Sequence, residues 1–224
     1  MKLALRVTTS SIAGLITFGL ILFGPAGTFR YWQAWLFIVV FTVVTIGPTI
    51  HLARTNPTVL ERRMHAGPRA ETRPAQKFIV TASFLAIFAM MAFSAFDHRM
   101  GWSGVPVWVC LLGDVLVAAG VGTTMLVVLQ NNYAAATVTV EEGQKVASGG
   151  LYKFVRHPMY AGSLVMMVGI PLALGSYWGL LVIIAGIPML VLRIVDEEKL
   201  LTEELAGYRE YAQRVRYRLV PSVW

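Results

Sequence analysis

The stretch Gly149-Gly150-Leu151-Tyr152-Lys153-Phe154-Val155-Arg156-His157-Pro158-Met159-Tyr160 sets an arginine, a histidine and two tyrosines against the start of an apolar run. Two apolar runs follow, at about residues 158–175 and 177–195, with only Gly175-Ser176 between them. Apolar runs joined that closely form a tight helical hairpin, which either just crosses a bilayer or dips into it from one side. Arg193 and the pair Glu197-Glu198 stand where the second run ends. The hairpin therefore returns two polar clusters to one end of an otherwise apolar structure, and that end is where chemistry is expected.

The rest of the chain extends the same reading. Hydrophobic residues make up 56% of its 224 positions and charged residues 14%, with a mean hydropathy of +0.64, whereas a soluble domain carries roughly a quarter charged residues. Four further apolar runs lie at about residues 8–24, 31–53, 77–96 and 104–129, each near the roughly 20 residues that cross a bilayer. The expected fold is an all-α integral membrane protein with six transmembrane helices, the last two a hairpin, and a C-terminal amphipathic helix. It is read as a single domain over 1–224, with four N-terminal spans in 1–129 and a cofactor-binding core in 130–224.

Basic residues test this division, because Lys and Arg collect on the cytoplasmic side of a correctly divided chain. With the N-terminus inside, all of the 19 except Arg30 and Arg99 fall in cytoplasmic segments. Both termini and the active site are then expected to face the cytoplasm, and the compact, short-looped chain suggests a bacterial inner membrane. Lys2 and Arg6 before an apolar core resemble a signal peptide, but no convincing small-x-small cleavage site follows before Arg30-Tyr31-Trp32, so the first run is read as a span. The net charge of +7 and pI near 9.8 reside in membrane-flanking loops. Anionic headgroups are thus the expected partner, with no nucleic acid and no obligate protein partner.

Between the spans, Asn56-Pro57 and Gly67-Pro68 are turn signals around a helical turn at about 59–64. A Thr/Val alternation runs from Ala134 to Val140, ahead of the charged turn Glu141-Glu142-Gly143. From 196 to 215, Leu201, Leu205, Tyr208 and Tyr211 recur at helical spacing with Gly207 as a break. That stripe either lies in the headgroups or lids a cytosolic site. Cys110 is alone in the fourth run, so no internal disulfide forms. Asp114 in the same run is either functional or partnered by a neighbouring helix. His51, His65 and His98 are scattered over three loops without ligand spacing, and no metal site is expected.

Within the two clusters, Pro158 suits the first position of a helix and His157 its cap. Arg156 and His157 beside that helix start suit a carboxylate or phosphate. Arg193 and Glu197 are four apart and share a face, where they can pair. Glu198 points about 100° away, so one carboxylate can serve structure while the other binds a ligand.

The string Gly150-x-Tyr152-x-x-x-Arg156-His157-Pro158-x-Tyr160-x-Gly162, followed by Arg193-x-x-x-Glu197-Glu198-x-x-Leu201 and Gly207-Tyr208-x-x-Tyr211, resembles the isoprenylcysteine carboxyl methyltransferase family and the related membrane phospholipid methyltransferases. The resemblance covers roughly 130–224. It implies an S-adenosylmethionine-dependent enzyme that releases S-adenosylhomocysteine, with a lipophilic or small methyl acceptor arriving through the membrane. By position, Gln144, Lys145, Val146, Ala147, Tyr152, His157, Pro158, Met159, Tyr160 and Glu197 would contact the cofactor. Arg193 would face the acceptor, and Arg156 would position the reactants.

Methyl transfer demands alignment in a site closed to water. A carboxylate acceptor needs no base and suits Arg193; a thiol or protonated amine needs one, from Glu198 or His157. The acceptor classes are thus an isoprenylcysteine-like carboxylate, a phospholipid amine or a thiol. A second reading is an NADPH-dependent sterol or steroid reductase, whose members end in a run similar to Tyr217-Arg218-Leu219-Val220-Pro221. A third is a non-catalytic membrane scaffold.

Overall fold

A computed structural model describes residues 2–65, 67, 70, 71, 73–131, 133, 134, 140 and 143–224, apart from the side chains of Lys2 and Ala4. Pro68, Arg69, Asn132, the body of the Thr/Val alternation at 135–139 and Glu141-Glu142 lie outside them. The described residues form α1 (Lys2–Ala26), α2 (Trp32–Thr55), α3 (Pro57–His65), α4 (Pro74–Met100), α5 (Val107–Gln130), a 3₁₀ turn (Gly150–Lys153), α6 (Pro158–Ala173), α7 (Leu180–Glu204) and α8 (Tyr208–Arg214), with no strand among them. Proline opens α3, α4 and α6, where its missing N–H costs nothing.

Large apolar side chains such as Leu15, Val43, Leu85 and Val115 stand exposed along the helices, the surface of a protein whose solvent is lipid. Helices α1, α2, α4 and α5 are long and apolar enough to cross a membrane. Helix α6 has 16 residues, about 24 Å at 1.5 Å per residue, short of the roughly 30 Å hydrocarbon core. The apolar part of α7 ends at Arg193, while the helix itself runs on to Glu204. The hairpin turn nevertheless reaches the same end as the α1–α2 and α4–α5 connections. There the Tyr31 hydroxyl donates to the Leu174 carbonyl at 2.6 Å and Ser176 Oγ donates to Asp97 at 2.5 Å.

Trp32, Trp35, Trp102, Trp108 and Trp178 are exposed around that end, as in the aromatic belt of a membrane interface. The other end carries nearly all the basic residues. The alternation read from the loops is therefore built into the bundle as an aromatic end and a basic end.

Packing is tightest between α5 and α6. Gly113 and Gly120 on α5 face Gly169 and Gly162 on α6, each pair of glycines seven residues apart. A Cβ on Gly169 would come within 2.7 Å of the Gly113 carbonyl and the Val117 nitrogen, and one on Gly162 within 3.0 Å of the Gly120 carbonyl. Small residues let backbones touch where lipid supplies no hydrophobic drive for helix association. The seam fixes the register of α6 on α5, and with it the height of the polar turn that precedes α6.

Three expectations need correction. The 196–215 helix is not separate: its first half continues α7, and only after Gly207, at φ +83°, does the short α8 begin. His51 and His98 lie within α2 and α4, not in loops, and His98 stacks on Tyr31 with ring centroids 3.9 Å apart. Asp114 is buried, but among the described residues neither carboxylate oxygen has a hydrogen-bond partner, so the expected pairing with a neighbouring helix is not seen there.

Candidate active site

At the basic end α5 outlasts α6. Its last residue, Gln130, accepts the Leu151 N–H on Oε1 at 2.9 Å, and Asn131 Nδ2 donates to the Tyr152 hydroxyl at 3.1 Å. Gly150 sits at φ +56°, and a Cβ there would overlap the Gln130 side chain. This is the physical need behind the glycine. The 3₁₀ turn so held leads through Arg156 and His157 into α6. His157 occupies the cap position without capping, because its side chain makes no bond to the helix. Its Nε2 lies 3.2 Å from Glu198 Oε1 instead, which places a ring proton on that nitrogen.

Glu197 and Glu198 diverge as their 100° offset requires. Glu198 turns inward and gathers cations. Arg156 Nε lies 2.9 Å from Oε1, near enough for the charges though not aligned as a hydrogen bond, and Arg218 Nε donates to Oε2 at 2.8 Å. Burial alone would raise the Glu198 carboxyl, but the bonds from His157 and Arg218 and the nearby Arg156 charge hold it below the usual carboxylate range. Glu197 turns to the other side and accepts the Tyr160 hydroxyl at 2.5 Å, while that hydroxyl accepts Arg193 Nε at 2.8 Å. The expected Arg193–Glu197 pairing is thus made through Tyr160.

An open cleft lies beside these residues at the basic end. Gln144, Lys145, Val146, Ala147, Tyr152, His157, Pro158, Met159, Tyr160 and Glu197 all line it, and so does Arg156. Arg193 and Glu198 do not. Arg193 lies behind Tyr160 in a second, buried polar cluster, where Nη1 donates to Gln76 Oε1 at 2.6 Å and the guanidinium stands 3.4 Å from Glu71 Oε1. Gln76 Nε2 in turn donates to Asp196, which also pairs with Arg73 at 2.7 Å. Glu198 is engaged by two arginines and a histidine, which leaves it poorly placed as a base.

The remaining wall was only half visible in the sequence. Leu201, Leu205, Tyr208 and Tyr211, the stripe of 196–215, line the cleft and pack on Val146 and Tyr152. The stripe faces the site, not the headgroups. Tyr211 donates to the Tyr152 carbonyl at 2.9 Å, and burial pushes the Tyr152, Tyr208 and Tyr211 phenols up, so all stay neutral. The Tyr208 hydroxyl is buried without a partner among the described residues. Asn131, Tyr133 and Ala134 complete the lining; the polar step after the fourth apolar run was their only signal. Glu71 and Gln76 carried no local signal, and Arg218 stood out only within the closing run Tyr217-Arg218-Leu219-Val220-Pro221.

The cleft offers the Glu197 carboxylate, the basic side chains of Lys145 and Arg156, and tyrosyl and aliphatic surfaces. No curated protein matches the chain. A family model for phospholipid methyltransferase matches residues 108–208, from the first turn of α5 to the first residue of α8. That segment holds the glycine seam, the turn before α6 and both glutamates. Residues 108–208 are therefore similar to the phospholipid methyltransferases, membrane enzymes related to the isoprenylcysteine carboxyl methyltransferases.

Proposed function

We propose that the protein is an S-adenosylmethionine-dependent methyltransferase of a lipophilic or small acceptor, working at the cytoplasmic face of a bacterial inner membrane. One observation carries the reading. Every residue that the resemblance assigns to the cofactor lines the same cleft, although Glu197 stands 37 residues beyond Tyr160, the last of the others.

The donor set fits such a cofactor. Glu197 suits its cationic amino and sulfonium groups, Lys145, Arg156 and His157 suit its carboxylate, and the tyrosines with Val146 and Leu205 suit an adenine ring. The unpartnered Tyr208 hydroxyl is a buried polar group awaiting a ligand atom. Bound there, the cofactor supplies an electrophilic methyl group. The protein's part is to hold donor and acceptor in line and to exclude water. Arg193 fixes the Tyr160 hydroxyl and thereby the Glu197 carboxylate, so the cofactor wall is braced from the side on which the acceptor is expected.

Titration of detergent-purified protein with S-adenosylhomocysteine, and separately with NADPH, tests the reading. Saturable binding of S-adenosylhomocysteine alone is the expected result. Binding of NADPH alone would sink the proposal in favour of a reductase, and binding of neither would favour a scaffold. A labelled-methyl screen over lipid extracts and thiols then identifies the acceptor.

A further inference from the structure

The segment after α8 is not an appendage. Its backbone joins the turn before α6 through two hydrogen bonds, Arg156 N–H to the Tyr217 carbonyl and His157 N–H to the Arg218 carbonyl, both 2.9 Å. Its side chain Arg218 reaches Glu198 at 2.8 Å and lies over the Trp224 ring at 5.1 Å. The Trp224 carbonyl accepts the N–H groups of Arg218, Leu219 and Val220, which curls the segment beneath that guanidinium. Arg218 does not line the cleft, yet it touches the one carboxylate that touches both Arg156 and His157.

We propose that Arg218 is a positioning residue for cofactor binding, acting through Glu198 to fix the Arg156 guanidinium and the His157 imidazole on the cleft wall. The inference rests on the cofactor reading above. A buried carboxylate attracting two groups from one side is held in place only if its second oxygen is also engaged. Arg218 engages it. The groups facing Glu198 are Arg156 and His157 from the turn before α6, Arg218 from the C-terminal segment, Tyr208 and Tyr211 from α8, and Glu197 on its own helix.

The ionised Glu198 is the form that orients its partners. Its carboxyl lies below its ordinary value, so the arrangement persists above the usual carboxylate range and is lost as pH falls through the lowered value. Removing the Arg218 charge raises that value, and the acid limit of binding then moves to higher pH. A residue that only stiffened the fold would weaken binding evenly at every pH.

The test is S-adenosylhomocysteine affinity against pH for the full-length wild type, Arg218→Gln, Arg218→Lys and, as a control on the same segment, Arg216→Gln. Arg218→Gln is expected to bind about tenfold more weakly at neutral pH, the size of one lost hydrogen bond to a charged group, with its acid limit shifted upward. Arg218→Lys, which keeps the charge and can still sit over Trp224, should stay within about threefold of wild type. Arg216→Gln should match wild type.

Glu198→Gln provides a second route if Arg218→Gln fails to fold. It should bind weakly and show no acid limit of this origin. Wild-type affinity and an unmoved acid limit in either variant would overturn the inference, as would a Lys variant as weak as the Gln variant. Absence of binding by the wild type would be a different failure, that of the cofactor reading, and the inference would fall with it.

Discussion

The two ends of the bundle both bury ionisable groups, and they do opposite things with them. At the aromatic end Asp97 is inaccessible and accepts the Ser103 N–H at 3.0 Å, the Ser103 hydroxyl at 2.6 Å and the Ser176 hydroxyl at 2.5 Å. It clasps α4, the α4–α5 connection and the hairpin turn. At the basic end Glu197, Tyr160, Arg156 and His157 are equally well connected, but they border open space, and a buried Tyr208 hydroxyl there has no partner. A buried acid therefore does not by itself mark a site. What distinguishes the two ends is whether the network closes on itself or leaves atoms waiting.

Substitutions at each end put that contrast at risk. The largest effect is expected from Glu197→Ala, which should lower S-adenosylhomocysteine affinity about 100-fold, in the range for truncating one partner of a buried charged contact. Arg193→Ala should retain that affinity within an order of magnitude and lose methyl transfer by about 100-fold, through misplacement of the reactants. Calorimetric titration and a labelled-methyl assay separate these outcomes. Unchanged affinity in Glu197→Ala would mean that Glu197 serves only helix pairing.

Asp97→Ala tests the closed end. It should cost about 3 kcal/mol of stability by stranding buried hydroxyls and leave ligand affinity unchanged; thermal unfolding with and without S-adenosylhomocysteine reads both. Gly120→Ala should destabilise by about 1–3 kcal/mol, because its methyl group meets the α6 backbone at the seam. The smallest effect belongs to Tyr208→Phe. Removing a hydroxyl without a protein partner should leave stability within about 0.5 kcal/mol and weaken ligand binding by only a few-fold.

The hairpin and the division of the loops were legible because hydropathy and the placement of Lys and Arg are local properties of the chain. The cleft wall was legible through a motif whose residues lie mostly in one stretch. What escaped was long-range. Arg193 is 122 residues from Glu71 and 117 from Gln76, and no periodicity announces such a meeting. The stripe through Leu201, Leu205, Tyr208 and Tyr211 was visible, but an amphipathic face reads the same whether it faces headgroups or a cleft. Only packing on Val146 and Tyr152 decides it. Asp114 shows the converse: an acid noticed in the sequence, for which the described structure supplies no partner.

Helix α5 acts as the depth gauge of the enzyme. Its glycines set the level of α6, and its end, at Gln130 and Asn131, suspends the turn from which Tyr152, Arg156 and His157 project. One residue inserted between Gly120 and Gln130 would lower that suspension point by about 1.5 Å and rotate it by about 100°. The glycine seam would stay where it is. The mouth of the cleft would then part from its own floor, so the height of the cleft on the bundle is written into the length of a helix that lends it scarcely a side chain.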